Sequence, residues 1–161
     1  MVLATASVAT RHVPYAQHRW IIVPTIAATT GIPTATEVAA GTEITEAIAA
    51  TTGFLKDAAT VQAPDYASRE VPSIPGRVTF QDSSLSVWLD PGGDDALVLF
   101  TVGTQTNICR FFGGLVTDTA MVTYVVNPIM ISDGAGMEDV QTGTVAFALR
   151  KIYRGIKYTT L

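Results

Sequence analysis

The sequence predicts a mainly β domain that carries one short helix. Three observations support this fold class. Polar and apolar residues alternate with period two in several segments, which is typical of half-buried strands. Clusters of Gly, Pro, Asp and Asn separate these segments and predict turns. One short apolar run in the middle of the chain follows an aspartate and ends near a glycine, which predicts a buried helix.

Residues 75–114 carry these signals most clearly. Two strands are predicted, at Arg77–Gln81 and Ser84–Leu89, because each places its apolar side chains on one face. These side chains are Val78 and Phe80 in the first strand and Leu85, Val87 and Leu89 in the second. We expect both faces to be half-buried, and we expect a further strand at Thr106–Phe112.

The apolar run Ala96–Phe100 lies between these strands and predicts the short helix. The turn Asp90–Gly93 precedes it, Asp94 is a suitable N-cap, and Gly103 provides a stop. A helix this short is not stable by itself in water, and it is apolar on nearly every side. We therefore expect it to be buried, where it covers one open side of the β domain.

The N-terminal region contains three predicted features. Residues 1–19 form an arm without core periodicity, which we expect to become ordered against another subunit. Arg19–Pro24 is rich in β-branched and aromatic residues and predicts the first strand. Thr34 and Glu37 have the spacing of a capping box, which predicts one helical turn at Ala35–Ala40.

Alternation is weaker in the next part of the chain. Glu43–Ala50 predicts a second strand that is partly exposed. Residues 55–75 contain three prolines and mixed charges, which predicts a long loop or a projecting hairpin. Loops of that length in compact domains are usually functional.

The C-terminal part is predicted to be β. Met121–Ser132 predicts a long strand that is interrupted at Asn127–Pro128. Another strand runs from Val145 to Arg154, and Gly155 is expected to end it. Residues 150–161 then form a last strand or an arm that extends onto a neighbour. Because the sequence has no repeat or linker, residues 1–161 are predicted to be a single domain.

Charge is scarce and unevenly distributed in this sequence. Charged residues make up 15% of the chain, which is low for a soluble monomer, so we expect an oligomer. Residues 1–29 carry two basic residues and no acid, residues 30–149 carry all 14 acids, and residues 150–161 carry four basic residues. Basic ends that dock onto acidic bodies of neighbouring copies explain this asymmetry, although short termini are often biased without a function.

No constellation of residues for catalysis or metal binding stands out. His12 and His18 lack ligand partners at suitable spacing, and Cys109 is expected to be a buried, inert thiol. The segment from Asp90 to Asp95 lacks the residue order of a calcium loop and fits a turn followed by a helix cap. We predict no enzyme activity and no cofactor. A basic stripe for nucleic acid and an apolar segment of about 20 residues for a membrane are also missing.

The order of several segments resembles the major tail tube proteins of long-tailed, non-contractile bacteriophages. The resemblance covers most of the chain. It rests on Trp20–Ala27, Pro33–Ile44, a strand opened by Pro75–Arg77, a short acid-capped helix and a last β segment after Gly136.

This resemblance implies a small β-sandwich or barrel flanked by one short α-helix. It also implies a structural virion protein, without enzyme activity, that assembles into hexameric rings. The rings stack into the tail tube, through which the genome leaves the capsid, and their inner strands form a continuous β-barrel around the channel. DNA passes through without specific binding, and an acidic body keeps the channel from adhering to phosphates. Implied partners are other copies, the tape measure protein, the tail terminator and the distal tail protein. The subunit is expected in the virion tail, after assembly in the bacterial cytoplasm.

Subunit and ring contacts are predicted at both termini and in residues 55–75. The candidate contact residues are Arg11, Arg19, Lys56, Asp57, Asp65, Tyr66, Arg69, Glu70, Arg150, Lys151, Arg154 and Lys157. Two alternatives stay open. One is another virion component, such as a tail terminator, a decoration protein or the tube of a contractile machine, and the other is a carbohydrate-binding β-sandwich module.

Overall fold

A computed structural model describes residues 18–64, 70–90, 96–134 and 141–159. These residues form nine strands, one α-helix and two 3₁₀ turns. The strands are β1 (Arg19–Val23), β2 (Thr42–Glu43), β3 (Ile48–Thr52), β4 (Lys56–Gln62), β5 (Ser73–Phe80), β6 (Ser83–Trp88), β7 (Thr106–Phe111), β8 (Ala120–Asp133) and β9 (Thr142–Lys157). The helix α1 spans Ala35–Ala39, the first 3₁₀ turn Thr45–Ala47 and the second 3₁₀ turn Ala96–Leu99. The predicted mainly β fold class is confirmed.

Seven strands form one antiparallel sheet that curls into a half-barrel. Their order is β2-β1-β7-β8-β9-β6-β3. The two outer strands, β2 and β3, are close in sequence, because only the first 3₁₀ turn and its flanking residues separate them. Strands β4 and β5 pair with each other and form a separate two-stranded sheet in the described part of the chain.

Apolar side chains cover both faces of the curled sheet. The larger cluster takes side chains from β1, β6, β7, β8 and β9, so it fills the inside of the curl. The smaller cluster lies on the outer face of β1, β7 and β8, where Ile21, Phe111 and Met121 pack together and Val38 of α1 covers them. The central strands are therefore buried on both faces, whereas alternation alone predicts burial of one face.

Strands β8 and β9 are long and staggered, and they divide the sheet into two halves. β7 pairs with the first part of β8, from Met121 to Val126. β6 pairs with the first part of β9, from Thr142 to Phe147. One half of the sheet, which we call the four-stranded half, therefore contains β3, β6, the first part of β9 and the second part of β8. Register shifts along the β8–β9 ladder allow the long strands to bend between the halves.

Two predicted breaks in these long strands are wrong. β9 continues through Gly155, whose φ of 70° accompanies a register shift and not the end of the strand. β8 continues through Pro128, and the register shifts between Pro128 and Met130. Proline lacks an amide donor, and a bulge is a position at which a strand tolerates that loss.

The single strand predicted at Glu43–Ala50 is also wrong. β2 ends at Glu43, the first 3₁₀ turn follows, and β3 then joins the opposite edge of the sheet. The Thr45 hydroxyl accepts a hydrogen bond from Trp20 N at 2.9 Å and donates to Glu43 Oε1 at 2.8 Å. Side-chain hydrogen bonds of this kind compete with the backbone ladder and favour a turn.

The apolar run at residues 96–100 contains only one 3₁₀ turn, so the α-helix predicted there is wrong. The predicted burial is confirmed for one side of this turn, where Ala96, Leu97 and Phe100 join the larger cluster inside the curl, which we call the inner cluster. Val98 and Leu99 are exposed. The predicted cap Asp94 lies outside the described residues, and the predicted stop Gly103 belongs to a later turn with φ of 82°.

The α-helix of the described residues lies instead at the predicted capping box. The Thr34 hydroxyl accepts a hydrogen bond from Glu37 N at 3.2 Å, and Glu37 Oε2 accepts one from Thr34 N at 2.8 Å. Glu37 Oε1 also accepts a hydrogen bond from Ala27 N at 2.8 Å. One carboxylate therefore joins the start of α1 to the chain that leaves β1.

We expect Glu37→Gln to lower the melting temperature at neutral pH. We also expect the melting temperature of this variant to fall less than that of the wild type when the pH is lowered. Backbone hydrogen bonds from Thr34 and Ala27 lower the pKa of Glu37 below its ordinary 4.5. The stabilisation that the Glu37 carboxylate gives the folded state is therefore complete above pH 4.5 and is lost as the pH falls through the lowered pKa. Thermal unfolding at about pH 7 and about pH 3 measures the effect. Glu46→Gln, at an exposed glutamate, is the control, and equal melting temperatures for wild type and Glu37→Gln at the higher pH would contradict the prediction.

Candidate assembly surfaces

The hairpin formed by β4 and β5 is exposed and rich in apolar side chains. Six apolar residues of the hairpin and its flanks each expose between 39% and 56% of their surface. They are Leu55, Val61, Val71, Ile74, Val78 and Phe80. The prediction that Val78 and Phe80 form a half-buried face is wrong, because β5 pairs with β4 and not with the main sheet. β5 also continues to Phe80, beyond the predicted segment 55–75. Several exposed apolar side chains on one element are typical of a protein contact site.

A bulge gives this hairpin two different faces. The register shifts between Ala58 and Thr60, where β5 has one extra residue. Val61 and Ile74 are paired beyond this shift. Since side chains alternate along a strand, these two residues lie on the face opposite to Val78. We call the two surfaces the Val61 face, which contains Val61 and Ile74, and the Val78 face, which contains Val78 and Phe80.

Phe54 joins the base of the hairpin to the body of the domain. Its buried ring contacts the rings of Trp20, Tyr124 and Phe147, at centroid distances between 4.9 and 6.1 Å. Its amide donates a hydrogen bond to Ser83 Oγ at 2.8 Å. The φ of Phe54 is 57°, which is uncommon for a residue with a side chain and persists only where the surroundings hold it. The inner core therefore sets the direction in which the hairpin leaves the domain.

The four-stranded half of the sheet has two open edges in the part of the chain that the structure describes. β3 is the outer strand on one side and pairs only with β6. On the other side, β7 pairs with β8 as far as Val126, and Gly103 N donates to Pro128 O at 2.9 Å. No described strand pairs with β8 on that side beyond Pro128. Open edges offer unpaired backbone donors and acceptors and favour pairing with another chain.

The outer face of the four-stranded half carries no charged side chain in its paired rows. Leu85 and Val145 are paired and point into the inner cluster, so their strand neighbours point outward. The outward residues of the paired rows are Ala50, Thr52, Ser84, Ser86, Trp88, Asn127, Met130, Ser132, Thr142, Thr144, Ala146 and Ala148. Trp88 is the large aromatic side chain among them and is 44% exposed. We call this surface the hydroxyl face. The Ser86 and Thr144 hydroxyl oxygens lie 3.3 Å apart across it.

A groove of about 660 Å³ lies between β2 and the two 3₁₀ turns, and we call it the edge groove. Buried Ile44 and Ala96 line it together with the exposed Val98 and Leu99. The other lining residues are Arg19, Thr42, Glu43, Thr45, Glu46 and Ala47. Arg19 Nε lies 3.6 Å from Glu43 Oε1. The groove therefore combines apolar walls with carboxylates.

The structure describes eight of the twelve candidate contact residues. Arg19 begins β1, Lys56 and Asp57 begin β4, and Glu70 lies exposed before β5. Arg150, Lys151, Arg154 and Lys157 lie in the second part of β9. The remaining four, Arg11, Asp65, Tyr66 and Arg69, lie outside the described residues. The eight described residues are distributed over three elements and the hairpin loop, and their role in contacts stays a prediction.

Three of the basic residues in β9 have partners within the chain. Arg150 Nη1 donates to Gln105 Oε1 at 3.1 Å, and Arg154 Nη2 donates to Phe54 O at 3.2 Å. Lys151 Nζ lies 4.4 Å from the centroid of the Tyr153 ring. Residues 150–157 are thus a continuation of β9 and not a separate strand.

The described residues contain no group of three or more His, Cys, Asp and Glu side chains that could hold a metal ion. In the same residues, no helix is long and apolar enough to cross a membrane.

Cys109 lies in β7 and is fully buried. Burial raises the pKa of its thiol from 9.0 to about 12. We therefore expect iodoacetamide to leave Cys109 unmodified in the folded protein at about pH 8, and to modify it after urea unfolding, because only the thiolate reacts. Mass spectrometry measures the modification. The raised pKa also predicts that Cys109 contributes to the free energy of unfolding. This contribution is complete below pH 9.0 and is lost as the pH rises towards 12. Rapid alkylation of the folded protein would contradict the prediction.

A sequence model described as "Phage tail tube protein" matches residues 10–129, which is most of the chain. The chain belongs to this phage tail tube protein family. A search of curated proteins found no matching sequence. The exposed hairpin and the open sheet edges are therefore features of a tail tube protein.

Solved structures of injection systems share the fold of this tail tube protein. The sheath/tube terminator of an extracellular contractile injection system, PVC, is 10% identical, with a TM-score of 0.59, and the match covers 90% of this chain and 97% of the other. The tube terminating cap of the anti-feeding prophage is 12% identical, with a TM-score of 0.56 and coverages of 94% and 97%. A chain of the PVC sheath–tube complex is 12% identical, with a TM-score of 0.58 and coverages of 92% and 92%. At these identities the likeness concerns the fold alone.

Sequence reasoning missed the surfaces that the structure makes most prominent. Val78 and Phe80 of β5 are predicted to lie on a half-buried face, and the sequence assigns no face of the sheet to the channel. Mixed charges and three prolines in residues 55–75 were the one signal for a projecting segment. The edge groove gave no local signal, since its lining residues come from three separate segments.

Proposed function

We propose that this tail tube protein is the structural subunit of a phage tail tube and assembles into hexameric rings that stack into a tube. The observation that carries the proposal is the pair of open edges on the four-stranded half. Copies placed edge to edge pair β3 of one subunit with the second part of β8 of the next. A closed ring removes the open edges, which a free subunit leaves exposed.

The hairpin supports stacking of these rings. Its exposed apolar side chains are unfavourable in water, and contact with a neighbouring ring buries them. Its base is fixed by Phe54, so the hairpin is already oriented when rings meet. The chain termini, with Arg11 and Lys157 among their basic residues, are proposed to contribute further contacts between subunits.

The hydroxyl face is proposed to line the channel. It belongs to the half of the sheet that has the open edges, so ring closure turns it into a continuous surface. The absence of Lys and Arg from its paired rows leaves no cation to bind DNA phosphates. This differs from the expected acidic channel wall, because the residues of the paired rows are neutral and not negative.

In this function the tube is a conduit for the genome, and the subunit acts without enzyme activity or cofactor. Its proposed partners are other copies, the tape measure protein, the tail terminator and the distal tail protein. The proposed location is the virion tail, after assembly in the host cytoplasm. The tail is proposed to be non-contractile, on the sequence resemblance described above, although the solved neighbours come from contractile systems.

Electron microscopy of the purified protein tests the proposal. We expect tubes of indefinite length with six subunits in each ring, and a reconstruction with Ser86 and Thr144 on the channel wall. A protein that stays monomeric at high concentration and in the presence of its tail partners would contradict the proposal. Micrographs of virions distinguish a bare tube from a tube inside a sheath.

A tube terminator is the second candidate, because two of the solved neighbours are described as a terminator and a terminating cap. A terminator closes a tube and does not extend it. The same micrographs separate the two functions, since a terminator forms single rings at concentrations at which a tube subunit forms long polymers.

A further inference from the structure

We propose that Arg150 and Lys151 of one subunit bind the Asp57 carboxylate of the neighbouring subunit in the ring. This inference rests on the proposed function, because it assigns a charged contact to the seam at which β3 of one copy pairs with β8 of the next.

The pairing within the four-stranded half decides which ends of β3 and β8 meet in a ring. Thr52, the last residue of β3, is paired with Ser84, and the adjacent Ser83 is paired with Phe147. Phe147 is in turn paired with Pro128. The end of β3 and the start of the open β8 edge therefore lie at the same end of the half. Rotation about a ring axis maps this end onto the same end of the next copy, so the chain that leaves β3 of one copy lies beside Pro128 of its neighbour.

A cavity of about 340 Å³ lies beside this part of the β8 edge, and we call it the basic notch. Its described lining includes Arg150 and Lys151 but no Asp or Glu. Arg150 belongs to β9, on the far side of β8 from the open edge. Its Nη1 nevertheless donates to Oε1 of Gln105, just before β7, at 3.1 Å. The guanidinium therefore reaches over β8 towards the edge at which the neighbouring copy pairs.

The charge of the basic notch is not compensated within the described residues. The partner of Arg150 there is a neutral amide, and Lys151 Nζ lies 4.4 Å from the centroid of the Tyr153 ring. No described carboxylate lies within ion-pair distance of either cation. Both cationic side chains are exposed. A concave site with two exposed cations favours a carboxylate that a partner supplies.

Asp57 is the carboxylate that the chain brings to this end of the half. It is the second residue of β4, which follows β3 after a short turn, and it is exposed. Lys56 precedes it but lies on the other face of the hairpin, because side chains alternate along a strand. Glu46, by contrast, lies before β3 and therefore at the other end of the half. The sense of the strands thus brings Asp57, and not Glu46, to the basic notch.

Asp57 of the same chain does not fill the basic notch. It follows β3, which lies at the opposite edge of the four-stranded half from β8, with β6 and β9 between them. None of the residues that line the notch comes from β3, β4 or β5. The cations and the carboxylate therefore lie at opposite edges of one subunit. Each copy can give one charged group and receive one, as a closed ring requires.

Coupling by a carbodiimide tests this contact in wild-type tubes, because the reagent joins a lysine amine to a carboxylate only where the two are in contact. We expect mass spectrometry to identify peptides linked through Lys151 and Asp57, and a denaturing gel to show linked multimers up to the hexamer. Lys151→Arg is the matched control, since it keeps the charge but removes the amine, and it is expected to assemble without this link. Peptides linked through Lys151 and Glu46, or no link at Lys151, would overturn the inference.

Charge reversal provides a second measurement. Arg150→Glu is expected to raise the concentration needed for assembly about tenfold, because it places like charges at the seam. Adding Asp57→Arg to this variant is expected to return assembly towards wild type, whereas adding Glu46→Arg is expected to give no rescue. Thermal unfolding of the unassembled subunits checks that each variant is folded.

The outcomes separate this contact from the proposed function. Arg150→Glu tubes that form at wild-type concentrations, or equal rescue by Asp57→Arg and Glu46→Arg, would overturn the inference and leave the proposed function intact. A wild-type protein that forms no tubes or rings would overturn the proposed function itself.

Discussion

Replacing Val78 and Phe80 together by glutamate is expected to give a folded subunit that does not polymerise. Both side chains are exposed in the free subunit, and neither belongs to either buried cluster. Surface substitutions of this kind change the free energy of unfolding by about 0.5 kcal/mol or less. In a tube, however, contact with a neighbour would remove two added charges on the Val78 face from water, and Lys56, which is paired with position 80, can neutralise only one of them. We expect the concentration needed for assembly to rise by about 100-fold or more.

Sedimentation and electron microscopy measure this effect, and thermal unfolding checks the fold. The control variant carries Val102→Glu and Val116→Glu, which add the same two charges at exposed valines outside the hairpin. It is expected to form tubes as wild type does. If the Val78 and Phe80 variant also forms tubes at wild-type concentrations, the hairpin does not contribute its Val78 face to assembly.

Phe147→Ala is expected to lower the free energy of unfolding by about 3–5 kcal/mol. The side chain is 1% exposed and lies at the end of the β6–β9 pairing. Its ring contacts Phe100 at a centroid distance of 5.2 Å and Phe54 at 6.1 Å. The residue therefore joins the second 3₁₀ turn and the base of the hairpin to the long strand, and truncation leaves a cavity among all three.

Urea unfolding of the unassembled subunit measures this change. Phe80→Ala is the matched control, because it removes the same ring from an exposed position, and we expect it to cost about 0.5 kcal/mol or less. Phe147→Leu retains most of the apolar volume and is expected to cost about 1.5 kcal/mol or less. A Phe147→Ala variant as stable as the Phe80→Ala variant would show that Phe147 does not organise the core.

These two predictions separate stability from assembly. The inner cluster holds each subunit together, whereas the hairpin, the open edges and the hydroxyl face are left exposed by the folded chain. Assembly residues in such a protein are expected to tolerate substitution in the free subunit. Substitution of a core residue such as Phe147 affects assembly only indirectly, because a subunit must fold before it can assemble.

Much of the fold is predictable from local patterns. Alternation in Ser84–Leu89 predicts the buried Leu85 and Val87 of β6, and the structure confirms both. The spacing of Thr34 and Glu37 predicts α1, because the capping box is satisfied within four residues. Signals of this kind depend only on neighbours in sequence, so they survive in any tertiary context.

The same reasoning fails where a partner far along the chain decides the outcome. Val78 and Phe80 alternate as well as Leu85 and Val87 do, yet they are exposed, because β5 pairs with β4 while β6 joins the main sheet. Gly155 and Pro128 lie inside long strands, because the β8–β9 ladder supports bulges there. The contact surfaces are equally non-local, since the edge groove is built from three segments.

The sequence by itself determined the mainly β class, the position of most strands, the capped helix and the resemblance to tail tube proteins. Only the tertiary structure decided which apolar faces are buried, where the sheet edges stay open and which residues line the edge groove. The physical reason is that alternation shows that a strand has an apolar face but does not identify what covers it. For Leu85 the cover is the inner core of the subunit. For Val61 and Val78 we propose that it is another subunit.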